Sequence, residues 1–469
     1  MGKPSIKILD SVHCKANKSA RELILPCLAY EERVYRRTRF GSKQSTKTQY
    51  LITGRIGTSG TFLTGLLPRI KDYCKKQGHD IKILGRNNIE RVKPTHGPKL
   101  KGIEFREDQK NALMLIKKKY RGNIVATTGS GKTIVANGIF SMFTKSSILF
   151  LCHTTDILNQ TCKSIKKYLP DRTYFAVGGG RKTDWKQIKR HKKDAPIVVA
   201  TIQTFSNLNP TLYADFFDIT IVDEVHHVNS KKSQYGNVME LNLSPRKYGL
   251  TATEPKKQRE ALTNEGFFGP IIFELNMDEA IEKGINAKPV VNLVPVPYDP
   301  RISDECGKVY KKLYQQGIVE NSKRNKLIYR LTRKSIRKKE VTLIIIEKTM
   351  HGKILQSLFS KNGLEIPFVY GKTPKDERER VKEDLKNEKI KCAICSRVWR
   401  EGTNIPSLRH IINAHGMKEE KIIIQAMGRG LRTFKDKKFI KLSDFLDPYH
   451  HLANHAILRI QIYINQGWL

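Results

Sequence analysis

The sequence predicts an α/β fold in which two tandem parallel-sheet domains follow a small basic α+β module. Three observations carry that expectation. From about residue 100, short continuous apolar runs alternate with helical patterns. The same rhythm starts again after about residue 290, and the first 95 residues follow neither. Continuous apolar runs indicate strands buried on both faces, and helical crossovers between them indicate a parallel sheet.

The N-terminal stretch alternates short apolar pieces with basic ones, as in Tyr35-Arg36-Arg37-Thr38-Arg39-Phe40. Glycines cluster at Gly54, Gly57, Gly60 and Gly65, and a helix is expected near Leu66–Lys76. Pro94, Gly97 and Pro98 mark a linker. In the first large domain, a helix over Asp108–Tyr120 precedes the strand Asn123–Ala126. Ile148–Leu151, Ile197–Thr201, Ile219–Val222 and Tyr248–Thr251 are the following strands. In the second, the strand candidates are Leu343–Ile346, Phe368–Tyr370, Cys392–Cys395, Ile411-Ile412 and Phe439–Leu442. The expected domains are residues 1–95, 96–288 and 289–469.

Composition limits the function classes. With 39% hydrophobic residues, the chain of 469 has enough apolar material for packed cores and is not a disordered polymer. The net charge of +41 points to a polyanionic partner, since each phosphate contact releases condensed counterions. No apolar run approaches the ~20 residues of a membrane span, so no membrane role and a cytoplasmic location are expected. The start, Met1 to Ile6, lacks the apolar core of a signal peptide and fails the myristoylation pattern. Eight scattered cysteines fit a reduced protein, and Cys392-x-x-Cys395 reads as two small core residues in a strand. His455, Arg459 and Tyr463 share one helix face, which reads as a packed terminal helix rather than a metal site.

Ala126-Thr127-Thr128-Gly129-Ser130-Gly131-Lys132-Thr133 follows a strand and opens a helix, the context a phosphate-binding loop needs. Thr128, Gly129, Ser130 and Gly131 would wrap backbone N–H groups round phosphates. Lys132 would reach the β/γ-phosphates and Thr133 would ligate Mg²⁺. Ala126 stands where the general pattern has glycine. Asp223-Glu224-Val225-His226 follows the run Ile219–Val222, so a strand end delivers two adjacent carboxylates. Asp223 would hold Mg²⁺, and Glu224 would orient and deprotonate the attacking water.

With these two segments on the page, the chain resembles a superfamily 2 helicase. Arg106-x-x-Gln109 is similar to the upstream motif that reads adenine. His153-Thr154-Thr155 and Thr201-x-Gln203 look like strand-contacting segments, which assigns Thr154, Thr201 and Gln203 to DNA. Thr251-Ala252-Thr253 matches the motif that couples hydrolysis to domain motion, and His226 is assigned to coupling along with Thr251 and Thr253. Glu401-Gly402-Thr403-Asn404-Ile405-Pro406 resembles motif V, with Gly402 at the nucleotide and Asn404 where many relatives carry Asp. Gln425-x-x-Gly428-Arg429-x-x-Arg432 matches motif VI at every defined position. The resemblance implies two RecA-like domains using ATP and Mg²⁺, with Gln425, Arg429 and Arg432 stabilising the charge on the transferring phosphoryl group.

A narrower resemblance, to the UvsW-type branch-migration helicases of phages, runs through most of the chain. Arg21–Leu28, Tyr35–Phe40, Gly65–Cys74, Asn321–Lys326, His351–Lys353 and Arg459–Tyr463 carry it. It implies a motor on branched DNA in replication, recombination or repair: forks, Holliday junctions and RNA–DNA loops, with double- or single-stranded DNA as partner. Arg36, Arg37, Arg39 and Phe40 interleave charge with an aromatic ring, as phosphate contact and base stacking require. Three alternatives stay open: a duplex translocase that does not separate strands, an RNA helicase, and a nucleic-acid annealing scaffold. The last conflicts with the full set of Lys132, Asp223, Glu224, Arg429 and Arg432. Oligomeric state is not legible, and a monomer is the default expectation.

Overall fold

The structure is a computed structural model. It describes residues 3–38, 41–55, 57–85, 92–181, 184–255, 257–396, 405–418, 427–428 and 430–469, with the backbone alone over 35–38 and 41–43. Two compact units divide the chain. One comprises residues 1–127 and 131–276, the other 128–130 and 277–469.

The first unit is built round a seven-stranded, wholly parallel sheet. In spatial order the strands are Ile271–Leu275, Arg121–Ala126, Arg246–Thr251, Ile219–Asp223, Ile148–Cys152, Ile197–Thr201 and Tyr174–Val177. The strand Arg246–Thr251 therefore lies between the strand that enters the phosphate loop and the one that ends at Asp223. Both edge strands, Ile271–Leu275 and Tyr174–Val177, are absent from the sequence reading. They are only partly buried, although Tyr174-Phe175-Ala176-Val177 and Ile271-Ile272-Phe273 are apolar runs like those of the central strands.

The N-terminal residues form a four-stranded mixed sheet in the order Gly60–Leu63, His13–Ala16, Ser5–Ile8, Lys82–Leu84. Helices Lys18–Ile24 and Leu67–Lys76 accompany it, and a ten-residue-per-strand hairpin, Ala29–Thr38 with Gly41–Tyr50, is a separate sheet. This module and the first sheet lie in one compact unit, which runs to Asn276. The reason is a shared core. Phe62, Leu63 and Leu66 belong to the same buried cluster as Leu262, Phe267 and Phe268. At Gly65 a Cβ would come within 2.4 Å of the Glu265 carbonyl, so only glycine permits this approach. Arg69 grips Glu265 through two parallel bonds, Nε to Oε1 at 3.0 Å and Nη2 to Oε2 at 2.6 Å. His13 reaches Glu240 at 2.8 Å, and Arg259 reaches Glu32 at the base of the hairpin at 3.0 Å.

The second unit carries a six-stranded parallel sheet in the order Lys288–Pro295, Phe439–Leu446, Leu408–Asn413, Val341–Ile345, Cys392–Cys395, Phe368–Val369. Cys392 and Cys395 are both buried in their strand. Three short segments with a narrower family resemblance meet here in a buried polar network. Asn321 caps the helix Ser322–Arg337. Arg324 Nε donates to Asp447 Oδ1 at 2.7 Å, with both side chains fully buried. Asn325 Oδ1 lies 2.9 Å from His351 Nε2. On the terminal helix His450–Asn465, Arg459 Nε and the Tyr463 hydroxyl both donate to Asp444 Oδ2, at 2.7 and 2.6 Å. Arg459 also donates to the Gly416 and Phe445 carbonyls.

Arg459→Ala should destabilise the second unit by about 3–5 kcal/mol, because it strands the buried Asp444 charge. Arg459→Lys should recover less than half of that, since an ammonium cannot reproduce the forked bonds. Urea unfolding of the full chain measures both.

Candidate nucleotide site

Five segments singled out in the sequence follow strands of one parallel sheet, and so emerge at one edge; the upstream Arg106–Gln109 does not. After Arg121–Ala126 the chain turns through Gly129 at φ 91° and Gly131 at φ 90° into the helix Lys132–Met142. These left-handed angles are open to glycine at no steric cost. Lys132 folds back so that its Nζ donates to the Ala126 carbonyl at 3.0 Å. Thr133 is the second residue of the helix, and its carbonyl accepts from Asn137 Nδ2 at 2.7 Å.

Arg106 and Gln109 stand beside this loop. Gln109 is buried at the start of the helix Glu107–Lys118, and its Oε1 accepts from the Arg106 N–H at 3.2 Å. Arg106 binds Asp108 through two bonds of 3.0 Å. A Cβ at Gly131 would sit 2.6 Å from Gln109 Nε2 and 3.8 Å from Arg106 Nη2. Glycine is therefore needed both for the turn and for the closeness of Gln109.

Asp223 ends its strand, and Glu224 follows at φ 51°, ψ 51°, a left-handed position costly for a residue with a Cβ. The turn is held from below. Asn264, buried in the helix Gln258–Phe268, donates through Nδ2 to the Val225 carbonyl at 2.9 Å. Sequence reading missed Asn264, because a lone asparagine in a helix carries no motif.

The two carboxyls are pushed apart electrostatically. Burial, then the charge of Glu224, raises Asp223 well above the usual carboxylate range, against the pull of Lys132. For Glu224 burial also pushes up, but the His226 hydrogen bond and the charges of Lys132 and His226 outweigh it and hold the carboxyl low. Glu224 keeps about a third of its side-chain surface, 32%, so it stays ionised yet reachable. Adjacent acids with opposed shifts suit different roles. The oxygens of Asp223 and Thr133 are the hard donors a magnesium ion takes, and the nearby Lys132 suits phosphate.

His226 joins this pair to the neighbouring strand. Its Nδ1 lies 3.3 Å from Glu224 Oε2, 3.0 Å from Thr251 Oγ1 and 3.5 Å from Thr253 Oγ1. Thr251 Oγ1 in turn donates to the Thr253 carbonyl at 2.8 Å. The coupling candidates His226, Thr251 and Thr253 thus form one connected chain ending on Glu224.

The strand-contact candidates gather farther along the same edge. Thr154 caps the helix Thr155–Tyr168, accepting from the Ile157 N–H at 3.3 Å. Gln203 Nε2 donates to the His153 carbonyl at 3.0 Å, and Thr201 Oγ1 to Thr204 Oγ1 at 3.1 Å. The His153 ring stacks on His227 at 4.4 Å. A feature missed in the sequence lies against them: Gly178, Gly179 and Gly180 are all left-handed. A Cβ at Gly178 would be 2.3 Å from Thr201 Oγ1, and one at Gly179 2.7 Å from Thr155 Cγ2. Three consecutive glycines after Tyr174–Val177 were the signal available.

Arg39, Phe40, Gly402, Gln425 and Arg429 lie outside the described residues, as does Asn404. Arg36 and Arg37 are on the hairpin strand Ala29–Thr38. Arg432 follows buried Leu431 and bridges to Asn286 through its backbone. Arg69 is paired with Glu265.

Comparison with known proteins agrees with this geometry. Residues 102–256 match the family described as type III restriction enzyme, res subunit, and residues 322–433 match the helicase conserved C-terminal domain. The chain belongs to the superfamily 2 helicases. It is accordingly an ATP-dependent helicase, an ATP hydrolase. The ATP-dependent DNA helicase uvsW of Enterobacteria phage T4 is 26% identical over 362 residues, covering 72% of this chain and 71% of that protein. The DNA 3'-5' translocase XPB2 of Sulfurisphaera tokodaii is 27% identical over 370 residues, covering 72% and 80%. The structure of S. cerevisiae Dbp5 bound to RNA and ADP BeF3 superposes with a TM-score of 0.55 at 16% identity, over 77% of this chain and 88% of that one, a likeness of fold. Among the described residues no helix is long and apolar enough to cross a membrane.

Thr251→Ala removes the middle of the His226–Thr251–Thr253 chain. It should leave at least a third of the ATPase rate while lowering ATP-driven strand separation more than tenfold. Steady-state hydrolysis and unwinding measured on the same preparation check this.

Proposed function

We propose that this helicase is a DNA motor that unwinds or branch-migrates branched DNA. The carrying observation is the coupling chain from Glu224 through His226 to Thr251 and Thr253, on the sheet edge that also holds Thr154, Thr201 and Gly178. Hydrolysis and strand contact are then two ends of one rigid edge. The names of the phage and archaeal relatives, a DNA helicase and a DNA translocase, support DNA as the track. The net charge of +41 supports a polyanionic partner.

In this reading Arg106 and Gln109 bracket the adenine, Lys132 and the 128–131 backbone hold the phosphates, and Thr133 with Asp223 holds Mg²⁺. The metal would supply charge neutralisation at the phosphoryl oxygens. Glu224 takes the proton of the attacking water, a role that needs the ionised state its surroundings enforce. Gln425, Arg429 and Arg432 are the residues assigned to the developing phosphoryl charge. The hairpin of Ala29–Thr38 and Gly41–Tyr50, whose first strand carries Arg36 and Arg37, is the proposed grip on duplex or junction. Its base is bonded to the helix Gln258–Phe268, whose Asn264 steadies the Asp223–Glu224 turn.

The discriminating experiment compares ATP-dependent unwinding of forks, four-way junctions, RNA–DNA loops and tailed linear duplexes. Branched substrates should be processed at least tenfold faster than tailed duplexes. Equal rates would remove the branched-DNA reading and leave a general helicase. Lys132→Ala should abolish DNA-stimulated hydrolysis; unchanged hydrolysis would overturn the motor itself.

A further inference from the structure

The second unit carries a charged surface that the ATPase site does not use. On the helix Ser322–Arg337, residues Arg324, Asn325, Ile328, Thr332 and Ser335 are buried. The opposite face exposes Lys323, Lys326, Arg330, Arg333 and Arg337, at alternating steps of three and four. That spacing lines them up along one side of the helix. No acidic residue occurs between Ser322 and Lys339. Lys323 reaches Asp299 at 3.4 Å, but among the described residues Lys326, Arg330, Arg333 and Arg337 make no ion pair.

An ordinary solvated helix in this unit looks different. Lys375–Lys386 interleaves signs, with Lys382 on Glu379 at 2.6 Å and Lys386 on Glu383 at 3.3 Å. Like charges three and four apart, by contrast, repel and weaken the helix that holds them. A polyanion lying along the face would turn that repulsion into attraction. The five side chains span roughly 21 Å at 1.5 Å per residue. About six phosphates of one duplex strand occupy that length. The exposed face also has no aromatic ring for an unpaired base. Tyr329 is half-buried against Phe359, ring centres 5.8 Å apart. Single-strand sites rely on such stacking platforms, so the face suits a paired, rigid backbone.

We propose that the outer face of Ser322–Arg337 is a docking track for the phosphate backbone of duplex DNA, apart from the sheet-edge strand contacts. The choice of DNA rests on the proposed function; the track itself rests on this helix. It would hold a duplex arm while the motor works on another.

The test uses the full chain with Arg330, Arg333 and Arg337 all changed to Gln, and the matching triple change to Lys. Binding of a blunt duplex, and of a single strand of equal length, is measured without nucleotide across a salt series. The Gln variant should show a log–log salt slope smaller by about 2–3 units on the duplex, at roughly 0.9 per lost phosphate contact. Its single-strand slope should stay unchanged, and the Lys variant should match the parent on both. The thermal midpoint of the Gln variant should not fall, since like-charge repulsion is relieved. An unchanged duplex slope, or equal losses on duplex and single strand, would overturn the track. ATPase at saturating DNA should be retained in the Gln variant. A parent chain whose ATPase ignores DNA would defeat the motor reading while the slope comparison still decides the track.

Discussion

A parallel sheet sends every loop that follows a strand to the same edge, and this constraint organises the first unit. The phosphate loop, Asp223-Glu224, Thr251–Thr253, Thr154 and Thr201 are far apart in sequence but all leave strands of one sheet in one direction. The strand order adds the second condition. Arg246–Thr251 lies between the strand entering the phosphate loop and the strand ending in Asp223. Thr251 is therefore beside His226 by topology, and the contact of 3.0 Å follows from register rather than from a flexible loop. A motor needs that arrangement, because a change at the phosphate must displace something stiff.

The same rigidity extends into the N-terminal module. Its core is continuous with that of the first sheet, and the helix Gln258–Phe268 touches both sides. One face meets Gly65, Arg69 and Glu32, and another meets the Val225 carbonyl. The strained left-handed Glu224 is steadied by the Asn264 bond, made from the same helix that anchors the module. The hairpin and the Glu224 turn thus share one supporting helix.

Much of this was legible in the sequence, and the residues show why. Central strands such as Ile197–Thr201 are buried on both faces, so they are written as unbroken apolar runs. Edge strands such as Lys288–Pro295 and Tyr174–Val177 are only partly buried, and the sequence reading passed over both. Motif residues were found because phosphate and metal chemistry demand fixed types at fixed spacing. Asn264 was not, since its partner, the Val225 carbonyl, is set by tertiary packing. Segments 321–326, 351–353 and 459–463 carried family resemblance without an evident role. The structure gives them one, as the buried polar network of the second unit.

Separate roles for two adjacent carboxylates are the centre of the account: Asp223 raised by burial, Glu224 held ionised by His226 and Lys132. The most direct measurement is ATP binding and DNA-stimulated hydrolysis by Glu224→Gln, which preserves shape and removes the base. Binding should stay within threefold of the parent while turnover falls by about 10²–10⁴-fold, the usual worth of a positioned general base. Turnover within tenfold of the parent, with binding intact, would contradict the assignment of Glu224 and the charge separation on which it rests.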